Sequence, residues 1–136
     1  MEKLDKLRQE IYDNRIKVVN FNTKEITGLA VEYNKQQKIV INKAKIKNKT
    51  HERTILAHEF YHFKTGTLYR LTDSSIVQDK KEYKCNKYMI QKLVPIDEFK
   101  ELLSKNYQRY ELAFFFDVEE SVIELAFEIY KKMNLL

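Results

Sequence analysis

Apolar positions along this chain change their spacing several times, and each spacing predicts an element. Leu4, Leu7 and Ile11, with Tyr12 beside them, fall at helical intervals and predict a short first helix. The period then shortens: Lys17 to Phe21, Gly28 to Tyr33 and Lys38 to Asn42 read as strands, the last two joined by the polar turn Asn34 to Gln37. Strands this close in sequence predict a small three-stranded antiparallel sheet. A helical pattern follows from Thr50, the expected N-cap, to about Lys64, with Glu52 in its first turn and Gly66 as its stop. A second long helix runs from about Gln78 to Leu93 and must end there, because Pro95 disfavours helical backbone before it. Asp97 can cap a helix through Leu103, and Tyr110 to Phe116 makes another. Val122, Leu125, Ala126, Ile129 and Tyr130 form the apolar stripe of the last. The expected fold class is α+β, a small sheet packed on the helix that begins near Thr50, followed by a mainly helical C-terminal half.

Composition narrows the setting. A chain of 136 residues with two glycines, one proline and no internal repeat reads as a single domain, with a core over residues 1–106 and a helical pair over 107–136. No apolar run approaches the roughly 18 residues of a membrane helix, and the charged start, Met1 to Arg8, has no apolar stretch of a secretory signal. Cys85 is the single cysteine, so no internal disulfide is possible. These features lead us to expect a cytoplasmic protein with no membrane partner. The net charge is +5, distributed unevenly. From Tyr107 onward three basic residues face six acidic ones, a net −3 that leaves +8 on residues 1–106. A basic body can attract acidic partners, but a lysine-rich solvated surface is the plainer reading.

One motif carries chemistry. His58-Glu59-Phe60-Tyr61-His62 is an H-E-x-x-H, and it takes up two of the three histidines in the chain. On a helix, side chains four apart stand one above the other, about 6 Å between Cβ atoms, so two imidazoles can converge on one zinc ion. Glu59 lies about 100° round the helix from His58, where it reaches a water beside the metal and can act as its base. The competing reading is two ordinary histidines, one on the surface and one buried and satisfied. A hydrolytic zinc needs a third protein ligand and an open position. His51 is two turns from His58, about 10 Å along the axis, and cannot reach the same ion.

Glu82 is the best third ligand. On the helix from Gln78 to Leu93 the apolar stripe of Met89, Ile90 and Leu93 continues upstream through Asn86 to Glu82. Polar groups aimed at a core are costly unless satisfied, and a metal for Glu82 and a ligand histidine for Asn86 would satisfy both. The alternative is a helix rotated so that both face water. Asp79 and Glu98 are the reserve ligands.

Together these residues resemble a family. Ile39-Val-Ile-Asn42, then Leu56-Ala-His58-Glu59-x-x-His62, then Glu82-x-x-Cys85-Asn86-x-Tyr88 through Leu93-x-Pro95, is similar to the gluzincin-like ImmA/IrrE metallopeptidases. Cys85 and Met89 stand where that family has alanines, and Lys92 where it has a leucine. The resemblance implies His58, His62 and Glu82 as metal ligands, Glu59 as catalytic base and Asn86 behind the ligands. It implies a zinc-dependent endopeptidase that cleaves a helix-turn-helix repressor of a phage or mobile element, an anti-repressor activity. Zinc is the chemical default for two His and one Glu, with manganese or another divalent ion tolerated. The alternative function is a metal-dependent regulator that binds and displaces a repressor without cutting it.

Two further expectations follow. An oxyanion donor is usual in such chemistry, and Tyr61, Tyr69, Tyr83 and Tyr88 are all candidates. Leu112 to Ile123 resembles a helix-turn-helix unit, but Glu119, Glu120, Glu124 and Glu128 occupy its second helix where a DNA reader would carry Lys or Arg. No direct nucleic-acid binding is therefore expected. That unit reads as a structural pair or as a docking surface for a protein substrate.

Overall fold

The computed structural model describes residues 2–136. Its elements are α1 (Lys3–Asp13), β1 (Ile16–Asn20), β2 (Gly28–Tyr33), β3 (Gln36–Ile41), α2 (Lys49–Thr65), α3 (Ser75–Leu93), α4 (Ile96–Ser104), α5 (Arg109–Phe116) and α6 (Glu120–Lys132). The fold is α+β, as the hydrophobic pattern predicts. Two compact units divide the chain, Met1–Cys85 and Asn86–Leu136. The division falls inside α3, whereas the charge pattern changes sign near residue 106. Among the described residues, no helix is long and apolar enough to cross a membrane.

In the first unit the sheet order is β1-β3-β2. The expectation of a purely antiparallel sheet is corrected here: β3 is antiparallel to β2 but parallel to β1. The reason lies in the two connections. Asn34 and Lys35, with φ of 50° and 63°, make a tight turn that pairs β2 with β3 directly. Residues 21–27 are long enough to carry the chain from the end of β1 past β3 to the sheet edge. β2 is left as that edge, with a partner on one side.

Helix α2 is the centre of this unit. Asn48 caps it, its side chain accepting the N–H of His51 at 2.8 Å, two residues before the expected cap at Thr50. Gly66 ends it in the left-handed conformation, φ 64°, as a C′ glycine does. Leu56, Ala57 and Phe60 are fully buried, and truncating such a Leu or Phe to Ala typically costs about 2–5 kcal/mol. α1 packs on α2 through Leu4, Leu7 and Ile11, with Arg8 paired to Glu52 at 2.9 Å. The same helix also buries Glu59 and His62. A helix that buries polar side chains in an apolar setting has to satisfy them, and that requirement locates the site.

In the second unit Phe99 packs against the rings of Phe116, Phe127 and Tyr130, at centroid distances of 6.3, 5.0 and 5.9 Å. The Tyr130 hydroxyl donates to the carbonyl of Val94 at 2.6 Å, fixing α6 to the end of α3. α5 and α6 pack together as the helical pair read from the sequence.

Candidate metal centre

His58 and His62 stand one turn apart on α2 and turn their Nε2 atoms toward each other, 3.2 Å apart, with the rings nearly perpendicular at 88°. Glu82 reaches in from α3. Its Oε1 lies 2.7 Å from His58 Nε2 and its Oε2 lies 3.4 Å from His62 Nε2. The structure thus brings the three sequence-predicted ligands together at one point. Two nitrogens each 2.0–2.1 Å from a four-coordinate ion stand about 3.3 Å apart, close to the separation seen.

The protonation pattern agrees with a cation site. His62 Nδ1 lies 3.0 Å from the carbonyl oxygen of Thr67 and 2.9 Å from its hydroxyl. A carbonyl can only accept, so Nδ1 carries the hydrogen, and in the tautomer with Nδ1 alone protonated Nε2 presents its lone pair to the carboxylate. Lone pairs facing a carboxylate repel unless a metal ion or a proton lies between them. The donor set fits a divalent metal.

Thr67 reaches this position because Gly66 reverses the chain. The N–H of Thr67 returns to the carbonyl of His62 at 3.0 Å, which folds the Thr67 side chain back over the ring. Thr65 Oγ1 lies 2.7 Å from Thr67 Oγ1 and extends the network. Asn86, expected behind the ligands, is the first residue of the second unit and is half-buried. For His62, Thr67 fills the role assigned to it. The glycine stop at residue 66 was legible in the sequence, but that the next residue would hold the histidine was not.

Glu59 is buried and accepts a hydrogen bond from the backbone of Ala30 on β2. Burial pushes its carboxyl upward from the ordinary carboxylate value, against the pull of His58 and His62. Glu82 behaves in the opposite way: burial raises it, but its close contacts with His58, His62 and Tyr69 outweigh burial and hold it well below the usual range. Two carboxylates in one site are thus pushed apart, one toward base strength and one toward permanent charge.

Glu59 and His62 line a cleft of about 830 Å³ together with Leu29, Ala30 and Val31 of β2 and Leu68 and Tyr69 of the following loop. Of the four tyrosines considered as oxyanion donors, Tyr69 lines this cleft. Its hydroxyl donates to Glu82 Oε2 and its ring stands edge-on to His62 at 5.4 Å. Tyr61 is buried, Tyr83 is exposed and Tyr88 belongs to the second unit. His51 stays at the helix start, its Nδ1 accepting the N–H of Lys47 at 3.0 Å. Asp79 is exposed in the first turns of α3, and Glu98 belongs to the second unit.

One residue passed over as a ligand in the sequence reading enters the site. Cys85 is fully buried one turn beyond Glu82, and its Sγ donates to the carbonyl of His58 at 3.4 Å. Its Sγ and a ring nitrogen from each histidine lie within 4.8 Å of one another, so His58, His62 and Cys85 form a cluster able to hold a metal ion. Burial, helped by the charges of Glu82 and Glu59, pushes the thiol up to about 12. Compared with protein-family models, curated proteins and solved structures, the chain matches none.

Proposed function

We propose that this chain is a zinc-dependent metalloendopeptidase of the ImmA/IrrE kind, cleaving a helix-turn-helix repressor of a phage or mobile element in the cytoplasm. The observation that supports it best is the convergence of His58, His62 and Glu82 beside a cleft whose wall carries the buried Glu59. His58, His62 and Glu82 would hold the ion, which when bound supplies Lewis acidity toward a peptide carbonyl. Manganese or iron would suit the same donors less specifically.

The residues divide the remaining work. Residues 29–32 of β2 line the cleft along the sheet edge, where outward backbone groups can pair with an extended substrate segment. Glu59, its base strength raised by burial, takes a proton from the attacking water and returns it to the leaving amine. The Tyr69 hydroxyl is protonated at neutral pH, as a tyrosine ordinarily is, and burial and the bond to Glu82 push its pKa further upward. It can therefore donate to the oxygen on which charge develops.

The test is co-expression of a candidate repressor, encoded beside this chain, with the parent and with Glu59→Gln. The peptidase reading expects repressor fragments with the parent alone. Derepression by Glu59→Gln with the repressor intact would reject it in favour of the second reading, a metal-dependent regulator that displaces the repressor without cutting. The presence of Cys85 beside the histidines favours that second reading, because a fourth protein donor would close the position that hydrolysis needs open.

A further inference from the structure

Three donors already converge in this site, and a fourth lies just outside them. Cys85 sits three residues after Glu82 on α3, so carboxylate and thiol leave the same face of one helix. Cys85 Sγ and one ring nitrogen each of His58 and His62 lie within 4.8 Å of one another. Around a four-coordinate ion, a sulfur at 2.3 Å and a nitrogen at 2.0–2.1 Å stand about 3.5 Å apart. The shortfall is at most on the order of 1 Å, and closing it would require the Cys85 side chain to turn about its Cα–Cβ bond and give up the contact with the His58 carbonyl. The thiol is fully buried and rests against the carbonyl of one of the proposed ligands.

We propose that Cys85 is a reserve metal ligand, one that joins His58, His62 and Glu82 to make a closed four-donor site in the absence of substrate. The inference rests on the metal-binding part of the proposed function and adds regulation to it. On closing, the thiol loses its proton to bulk water and the sulfur fills the fourth position. On opening, the sulfur takes a proton back and returns to the His58 carbonyl. The set with sulfur favours soft, thiophilic ions such as zinc and cadmium, and the set without it tolerates manganese.

The test uses the full chain, stripped of metal and titrated with cobalt(II), in the parent, Cys85→Ala, Cys85→Ser and Glu59→Gln. The parent and Glu59→Gln are expected to show thiolate-to-cobalt charge-transfer absorption in the near ultraviolet beside the visible d–d bands. Both Cys85 variants should keep the d–d bands and lose the charge transfer. Cadmium affinity relative to manganese should fall in both by about tenfold or more, since losing a ligand costs at least what losing an outer-shell partner does. Having the two variants, one nearly isosteric, separates loss of the ligand from loss of packing at a buried site. A parent that binds cobalt with d–d bands but no charge transfer, and a cadmium-to-manganese ratio unchanged by Cys85→Ser, would overturn the inference and leave the three-ligand site standing. A parent that takes up no cobalt at all would overturn both.

Discussion

His62 donates through Nδ1 to the carbonyl of Thr67 at 3.0 Å, with the Thr67 hydroxyl 2.9 Å from the same nitrogen. The partner of the ring is therefore supplied by the turn that ends its own helix. The left-handed Gly66 makes that turn possible, so a backbone stop signal also sets the tautomer of a proposed ligand.

Thr67→Val should weaken metal binding by about tenfold, the lower end of the usual outer-shell effect, because the backbone carbonyl still accepts from Nδ1. Thr67→Ser restores the hydroxyl and should recover most of the loss. Competition against a chromophoric chelator measures both. Equal affinity in the parent and Thr67→Val would show that the side chain contributes nothing to positioning.

Glu82→Ala should lose tight metal binding, and Glu98→Ala should not. Thermal unfolding with and without zinc gives an independent reading. Metal at a thousand times its Kd stabilises the folded state by about 4 kcal/mol. That shift should be present in the parent and Glu98→Ala and largely gone in Glu82→Ala. An undiminished shift in Glu82→Ala would remove Glu82 from the ligand set.

The pH dependence of cleavage follows from Glu59. A base must be unprotonated to work, and burial raises this carboxyl above its ordinary value of 4.5. Activity should thus fall as the pH drops through a limb lying above 4.5. In the parent, kcat/KM against pH on a cleavable peptide should show this limb. Glu59→Gln should lower kcat by about 10²–10⁴-fold and abolish the limb while keeping its metal. A limb that persists unchanged in the residual activity of the variant would assign it to another group.

Gly28 separates β2 from α2. A Cβ there would stand 2.7 Å from Ile55 Cγ2 and 3.3 Å from Glu59 Cγ. Gly28→Ala should cost about 1–3 kcal/mol of stability as an overpacked contact. It should also lower kcat more than it lowers metal affinity, because it displaces the base and not the ligands. Denaturant unfolding beside metal titration and turnover separates the three effects. A variant with parental turnover would show that Glu59 tolerates the shift.

The full chain should not bind DNA through its last two helices, since residues 107–136 carry a net −3. A gel shift that weakens with salt and responds to charge reversal in α6 would contradict this.

Much of the local structure was legible because local rules govern it. The Gly66 stop, the end of α3 before Pro95 and the pairing of β2 with β3 through a short polar turn each follow from the conformational limits of a few neighbouring residues. The spacing of His58 and His62 belongs to the same class, since a helix places residues four apart on one face whatever surrounds it. Glu82 was legible for a related reason: it extends a stripe that is otherwise apolar.

What the chain did not disclose depends on residues distant in sequence. The parallel pairing of β1 with β3 depends on where a seven-residue crossing lands, and nothing in the strands themselves encodes that. Thr67 and Cys85 have no polar pattern around them that marks a site; each becomes significant through the turn or the helix packing that brings it against a histidine. The opposed shifts of Glu59 and Glu82 are likewise tertiary, because both are glutamates and only their neighbours differ. The sequence by itself determined which residues can ligate and at what helical interval, since side-chain chemistry and the 3.6-residue period are local properties. Only the tertiary structure decided which of them meet, because convergence depends on packing between elements far apart in the chain.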